Sequence, residues 1–199
     1  IVELLLQHPG VELVSLVARE EIGRPIDEIY PHLANFCSLP VLAADDPAAQ
    51  VEADVVFCAT PDGVGMVQAP DILATGARLI DYSGDFRFTT PEAYHDYASR
   101  IGRNPVHASP QLLGSNVYGL TELHRDAVRT AKLVGNPGCF AVSCILGLAP
   151  AVAAGLVEPI GLICDCKTGA SGAGKKLNAS YHFPARYEQM NAYRLSGHQ

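Results

Sequence analysis

Short apolar runs bounded by turn residues recur along this chain, separated by stretches of helical length. Residues 11–18, VELVSLVA, are rich in branched apolar side chains and end before Arg19, which predicts a strand. The runs ADVVFCATP (53–61), ARLIDYSG (77–84) and AKLVGNPG (131–138) have the same form, each closing on a polar or glycine-containing turn. Residues 63–75 lie between the second and third runs and have the length of a helix. Apolar strands alternating with helices predict a parallel, doubly wound α/β sheet. A further strand is expected at 161–169, GLICDCKTG, beyond a long helix that starts near Cys139.

The most apolar stretch, AVSCILGLAPAVAAGLV at 141–157, is interrupted by Pro150 and falls short of the roughly 20 residues of a membrane span. It predicts a buried helix. The opening IVELLLQHPG has helical spacing and stops at His8-Pro9-Gly10, yet no capping residue starts it. The end, YRLSGHQ, is equally abrupt, so an internal fragment of a longer protein is expected.

With 199 residues the chain fits one large domain or two small ones, and 48% hydrophobic with 18% charged residues describe a soluble globular protein. A net charge of −7 with scattered Lys and Arg argues against nucleic acid as a partner. No charged, cleavable leader and no membrane segment is visible. The six cysteines lack the paired Cys-x-x-Cys spacing of zinc sites, so we expect no metal and reduced thiols in the cytoplasm.

In a parallel sheet, ligands sit outside the carboxyl ends of the strands. Those ends carry Arg19, Thr60-Pro61, Ser83-Gly84-Asp85 and Asn136-Pro137-Gly138-Cys139. Arg19 is either a solvated arginine or a contact for a nucleotide 2′-phosphate. Cys139 follows a Pro-Gly turn where a helix begins. It is either a small buried residue or a nucleophile, because helix N–H groups favour a thiolate and hold a developing oxyanion. The loop KTGASGAGKK (167–176) could approach a ligand closely through its glycines, or simply be a surface loop; it lacks the spacing of an ATP-binding P-loop. In DYSGDFRF (81–88), Arg87 could grip a substrate carboxylate.

LIDYSGDFR, VYGLTEL, GNPGCF, KTGASGAGKK and NAYRLSGHQ, in this order, resemble the N-acetyl-γ-glutamyl-phosphate reductase family along nearly the whole chain. More distantly the chain is similar to aspartate-semialdehyde dehydrogenase. The resemblance implies a Rossmann-type NADP-binding domain over 1–138, lacking its first strand and glycine loop. It implies that 139–199 begin an α+β substrate and dimerisation domain. It also implies reduction of N-acetyl-L-glutamyl 5-phosphate by NADPH in arginine biosynthesis, by a homo-oligomer, dimer or tetramer. Carried over by position, Cys139 is the nucleophile and His198 the base. Ser171, Gly172 and Gly174 form the glycine loop, Arg19, Ala59, Thr60 and Pro61 line the NADP(H) side, and Ser83, Arg87 and Asn136 meet the substrate. Three departures stand out: the nucleotide glycine loop and the residues after Gly-His are absent, and Asp62 stands where the family often has His.

The chemistry matches these residue types, since a thiolate displaces phosphate from an acyl phosphate and leaves a reducible thioester. The rival readings are a reductase of aspartyl phosphate and a non-catalytic NADP-binding scaffold.

Overall fold

The computed structural model describes residues 1–49, 51–174 and 177–192. The chain divides into two compact units, Ile1–Asp54 and Val55–Gln199.

In the first unit, helix α1 (Val2–Leu6) starts at Ile1 without a side-chain cap. Strand β1 (Leu16–Val17) pairs in parallel with β2 (Val41–Leu42), Leu16 opposite Val41. The short helix α2 (Ile26–Ile29) adds Ile26 to a core shared with Leu33, Cys37 and Val41. The strand predicted at 11–18 is therefore only two residues long. Its partner offers no longer ladder, because Pro40 ahead of β2 has no N–H to donate.

The second unit is built on strands β3 (Val55–Cys58), β4 (Arg78–Asp81), β5 (Val117–Tyr118) and β6 (Leu133–Gly135). Their order is β3-β4-β6-β5 and every pair is parallel, as the apolar runs predict. Leu79 and Leu133 on the two central strands are fully buried, and Phe86, Met66 and Tyr97 pack around Leu79 and Leu133. Since the strands are parallel, all four carboxyl ends open on one edge.

Helix α3 (Gly65–Ala74) links β3 to β4 and needs outside help at two points. Its N-terminus has no local side-chain cap; instead the Asp85 carboxylate accepts the Gly63 and Met66 N–H groups at 2.8 and 3.0 Å. Pro70 inside the helix cannot bond the carbonyl of Met66, and that oxygen accepts the Ser109 hydroxyl at 2.6 Å. Helix α4 (Pro91–Arg100) starts on a conventional cap, Thr90 Oγ1 accepting from Ala93 N at 3.2 Å. Helix α5 (Thr121–Thr130) leads from β5 into β6. Neither α4 nor α5 lies among the elements predicted from the apolar pattern.

Helix α6 (Cys139–Ala153) forms where expected, but none of its residues is buried. It is apolar nearly all round, so the burial predicted for it requires surfaces that the described residues do not supply. The strand expected at 161–169 is also absent: residues 162–169 hold no regular structure. Ile163 there is 95% exposed. A strand is stable only with a neighbour to take its N–H and C=O groups, and none lies alongside it among the described residues. A short helix α7 (Phe183–Arg186) follows.

Candidate active site

The central strands bring two turns together at the carboxyl edge. After β4 the chain runs through Tyr82–Arg87, and after β6 through Asn136–Cys139. The Asn136 N–H donates to the Asp81 carbonyl at 2.7 Å, extending the β4–β6 ladder by one bond. Gly135 lies against the other turn so closely that a Cβ there would overlap the Phe86 carbonyl oxygen. Only glycine permits that approach.

Arg87 locks the two turns. Its Nε donates to the Asn136 carbonyl at 2.9 Å and its Nη2 to the Tyr82 carbonyl at 3.0 Å. Its Nη1 passes beside Gly138, whose Cβ position would lie 3.4 Å away. No carboxylate stands within ion-pair distance of Arg87 among the described residues. The guanidinium thus carries its charge next to the start of α6 without a direct ion pair.

Cys139 is the first residue of α6, with Gly138 as the N-cap and no side-chain cap, and it is exposed. It opens onto a cleft of about 810 Å³ lined also by Arg87, Tyr118, Thr168, Gly172 and Arg186. No Asp or Glu lines this cleft among the described residues. A thiol at an uncapped helix start, two guanidinium groups and no acid describe a site for an anionic electrophile.

The acidic residues of this edge are turned inward. Asp81 is fully buried, and its Oδ2 accepts the Ser83 hydroxyl at 2.6 Å while Oδ1 has no partner. Burial pushes the Asp81 carboxyl up to about 6, reinforced by the nearby Asp85 charge and opposed by the Ser83 hydrogen bond. Asp62 accepts Gly84 N–H at 2.8 Å and the Tyr97 hydroxyl at 3.2 Å, tying the β3 turn to the β4 turn. Burial and the Asp62 charge push the Tyr97 hydroxyl up to about 12. His107 Nδ1 accepts Ser109 N–H at 3.0 Å, so the proton sits on Nε2, which faces the Asp85 carbonyl at 3.1 Å. Burial lowers the His107 pKa, opposed by its hydrogen bond to the Asp85 carbonyl.

The candidates drawn from the sequence separate accordingly. Cys139, Arg87 and Gly172 share the cleft. Ser171 lies in the 3-10 turn Ala170–Ala173 with Gly172, and Gly174 ends that turn at φ +77°. Asn136 contributes through its backbone, as its carbonyl holds Arg87 and its N–H holds Asp81. Ser83 is 4% exposed, and its hydroxyl donates to Asp81 and accepts the Asp85 N–H. Ala59 and Pro61 are exposed beyond β3, and Thr60 between them holds a buried Oγ1 with no partner. Such an orphaned hydroxyl at the carboxyl end of a parallel strand fits a nucleotide contact. Arg19 is exposed in the first unit. His198 lies outside the described residues. Tyr97, Tyr118 and Arg186 were not singled out from the sequence; the α4 spacing of Tyr94, Tyr97 and Ala98 was the one available signal, marking a buried face.

A family model described as semialdehyde dehydrogenase, NAD binding domain, matches residues 1–131. A second, semialdehyde dehydrogenase, dimerisation domain, matches 139–199. Curated relatives carrying the name N-acetyl-gamma-glutamyl-phosphate reductase include one from Herminiimonas arsenicoxydans, 41% identical over all of this chain and 56% of its own length. One from Acidithiobacillus ferrooxidans is 42% identical over the whole chain and 56% of its length, and one from Bordetella pertussis 41% over the whole chain and 55% of its length. The chain thus spans little more than half the length of these relatives. Among solved structures, aspartate semialdehyde dehydrogenase II from Vibrio cholerae, complexed with ASA, superposes with a TM-score of 0.51 at 16% identity. That likeness covers 77% of this chain and 42% of the other, and concerns the fold alone.

Proposed function

The chain belongs to the semialdehyde dehydrogenase family, and on that premise we propose that it carries the reacting cysteine of an N-acetyl-γ-glutamyl-phosphate reductase. The reaction is reduction of N-acetyl-L-glutamyl 5-phosphate to the 5-semialdehyde and phosphate, as a step of arginine biosynthesis. One observation carries the reading: an exposed cysteine at the start of a helix, in a cleft with arginine and without acid.

The Cys139 sulfur attacks the acyl carbon, the carbon–oxygen bond to phosphate breaks, and a thioester remains on Cys139. The backbone N–H groups at the start of α6 point at the place where the carbonyl oxygen gains charge. Arg87, held rigidly beside Gly138, offers its Nη1 to the anionic substrate. NADPH, when bound, supplies the hydride that takes the thioester to the aldehyde level. Thr60 with its orphaned hydroxyl, the neighbouring Ala59 and Pro61, Arg19 and the turn of Ser171, Gly172 and Gly174 are the groups proposed to hold it. His198 is kept as the proposed base that takes the thiol proton and returns it to the Cys139 sulfur when the carbon–sulfur bond breaks and the aldehyde departs. Ser83 supports the substrate turn only through Asp81.

The protein is proposed to be a cytoplasmic homo-oligomer. No described helix is long and apolar enough to cross a membrane, and all six cysteines are free. The match to a dimerisation domain and the uncovered apolar surface of α6 support association between copies. The test is NADPH oxidation by a protein of relative length carrying this chain, with N-acetylglutamyl phosphate and aspartyl phosphate compared side by side. Turnover of the first alone is expected; preference for the second assigns the other reductase, and turnover of neither leaves the scaffold.

A further inference from the structure

Four of the six cysteines fall within residues 139–166, and only Cys139 has a part in the proposed reaction. Cys144 lies on α6 little more than one turn beyond Cys139, and Cys166 lies in the irregular segment after it. Their sulfur atoms are 3.3 Å apart, although 22 residues separate them. Closing that gap to the roughly 2 Å of a disulfide requires a movement of about 1.3 Å. Cys166 is exposed and Cys144 half-buried, so an oxidant in solution meets Cys166 first. Of the other three thiols, Cys164 is exposed, and Cys37 and Cys58 are buried in separate cores.

We propose that Cys144 and Cys166 are an oxidative modification site that closes reversibly to a disulfide in the presence of a peroxide. The Cys166 sulfur attacks one peroxide oxygen, the oxygen–oxygen bond breaks, and a sulfenic acid and one water form. The Cys144 sulfur then attacks the sulfenic sulfur, its proton leaves with the displaced hydroxyl, and a second water is released. Two thiols lose two electrons and one peroxide is reduced to two waters. The roles follow from exposure: Cys166 is open to solvent and meets the peroxide, and Cys144, half-buried beside it, is the resolving thiol.

The location gives the bond a consequence. Two and three residues after Cys166 come Thr168 and Gly169, which line the same cleft as Cys139. The disulfide therefore fixes the entry of that wall of the cleft to the helix whose first residue is Cys139. The site is independent of which acyl phosphate is reduced.

The test is to treat the chain with one equivalent of hydrogen peroxide, block free thiols, and cleave after Glu158 and Lys167. This places Cys144 and Cys166 on different peptides. The expected product is a Cys144–Cys166 linked pair, located by fragment sequencing and released by dithiothreitol. The link persists in Cys164→Ser and Cys139→Ser and is lost in Cys144→Ser, where Cys166 instead accumulates as a dimedone-reactive sulfenic acid. A link through Cys164 or Cys139, or oxidation of the unsubstituted chain that stops without any Cys144–Cys166 link, overturns the proposal.

Discussion

Arg87 donates its Nε to the carbonyl oxygen of Asn136 at 2.9 Å, so the turn after β4 holds the turn that leads into Cys139. The same side chain holds Tyr82 through Nη2, and this two-point grip depends on a planar fork. Lysine keeps the charge but cannot make both bonds. Arg87→Lys is expected to lose about 1–2 kcal/mol in urea unfolding and at least tenfold in kcat/KM. An unfolding midpoint and turnover equal to those of the unsubstituted protein would count against the grip.

Asp81 makes stability depend on pH in an unusual direction. Its folded-state pKa, about 6, lies above the ordinary aspartate value, so folding favours the protonated form. The contribution is fully present below about pH 4, where Asp81 is protonated both folded and unfolded. It is lost as pH rises towards 6, as the unfolded chain ionises first. At about 1.4 kcal/mol per pH unit the loss reaches about 3 kcal/mol. Asp81→Asn removes it, so the gap in stability between variant and parent should move by that order in favour of the variant between pH 4 and pH 7. A gap constant with pH would show that Asp81 ionises normally.

Ser109 completes helix α3 at the point where Pro70 cannot. Ser109→Ala leaves the Met66 carbonyl without its 2.6 Å partner and is expected to cost about 1–3 kcal/mol. Replacing Pro70 by Ala restores a helical N–H for that oxygen, so the Ser109→Ala penalty should shrink in the Pro70→Ala background. Strictly additive effects in the double-mutant cycle would separate the two residues.

Arg19 is proposed as a contact to the 2′-phosphate of NADPH. A charge-assisted contact of this kind is worth about 1.5–3 kcal/mol, about tenfold to a hundredfold in affinity. Arg19→Ala in a protein of relative length should therefore lose that much for NADPH and nothing for NADH. An unchanged ratio of the two dissociation constants makes Arg19 a solvated surface residue.

What the sequence could convey follows from where each signal originates. The strands β3, β4 and β6 belong to a parallel sheet, and such strands appear in sequence as plain apolar runs ending in turn residues. The start of α6 at Cys139 was equally visible, because Pro137 and Gly138 stop β6 and free the chain to turn. Residues 161–169 carry the same apolar signal and yet form no strand, since a strand also needs a neighbour that the run itself does not encode. Helices α4 and α5 escaped because both are polar on average and hold no apolar run, although the spacing of Tyr94, Tyr97 and Ala98 marks a buried face on α4. Ser83 shows the limit for the site: a serine in a Gly-Asp turn looks available, but only the fold reveals that its hydroxyl points at the buried Asp81. The Asp85 cap of α3 spans some twenty residues of sequence and has no local signature.

The central claim is that Cys139 bears the acyl group. The most direct measurement mixes N-acetylglutamyl phosphate with a relative-length protein carrying this chain, without NADPH, and quenches in acid for intact-mass and peptide analysis. The account predicts release of one phosphate per chain and an N-acetylglutamyl thioester on Cys139, abolished in Cys139→Ser and discharged when NADPH is added. Phosphate release with Cys139 unmodified, or an acyl group found on another residue, would contradict it.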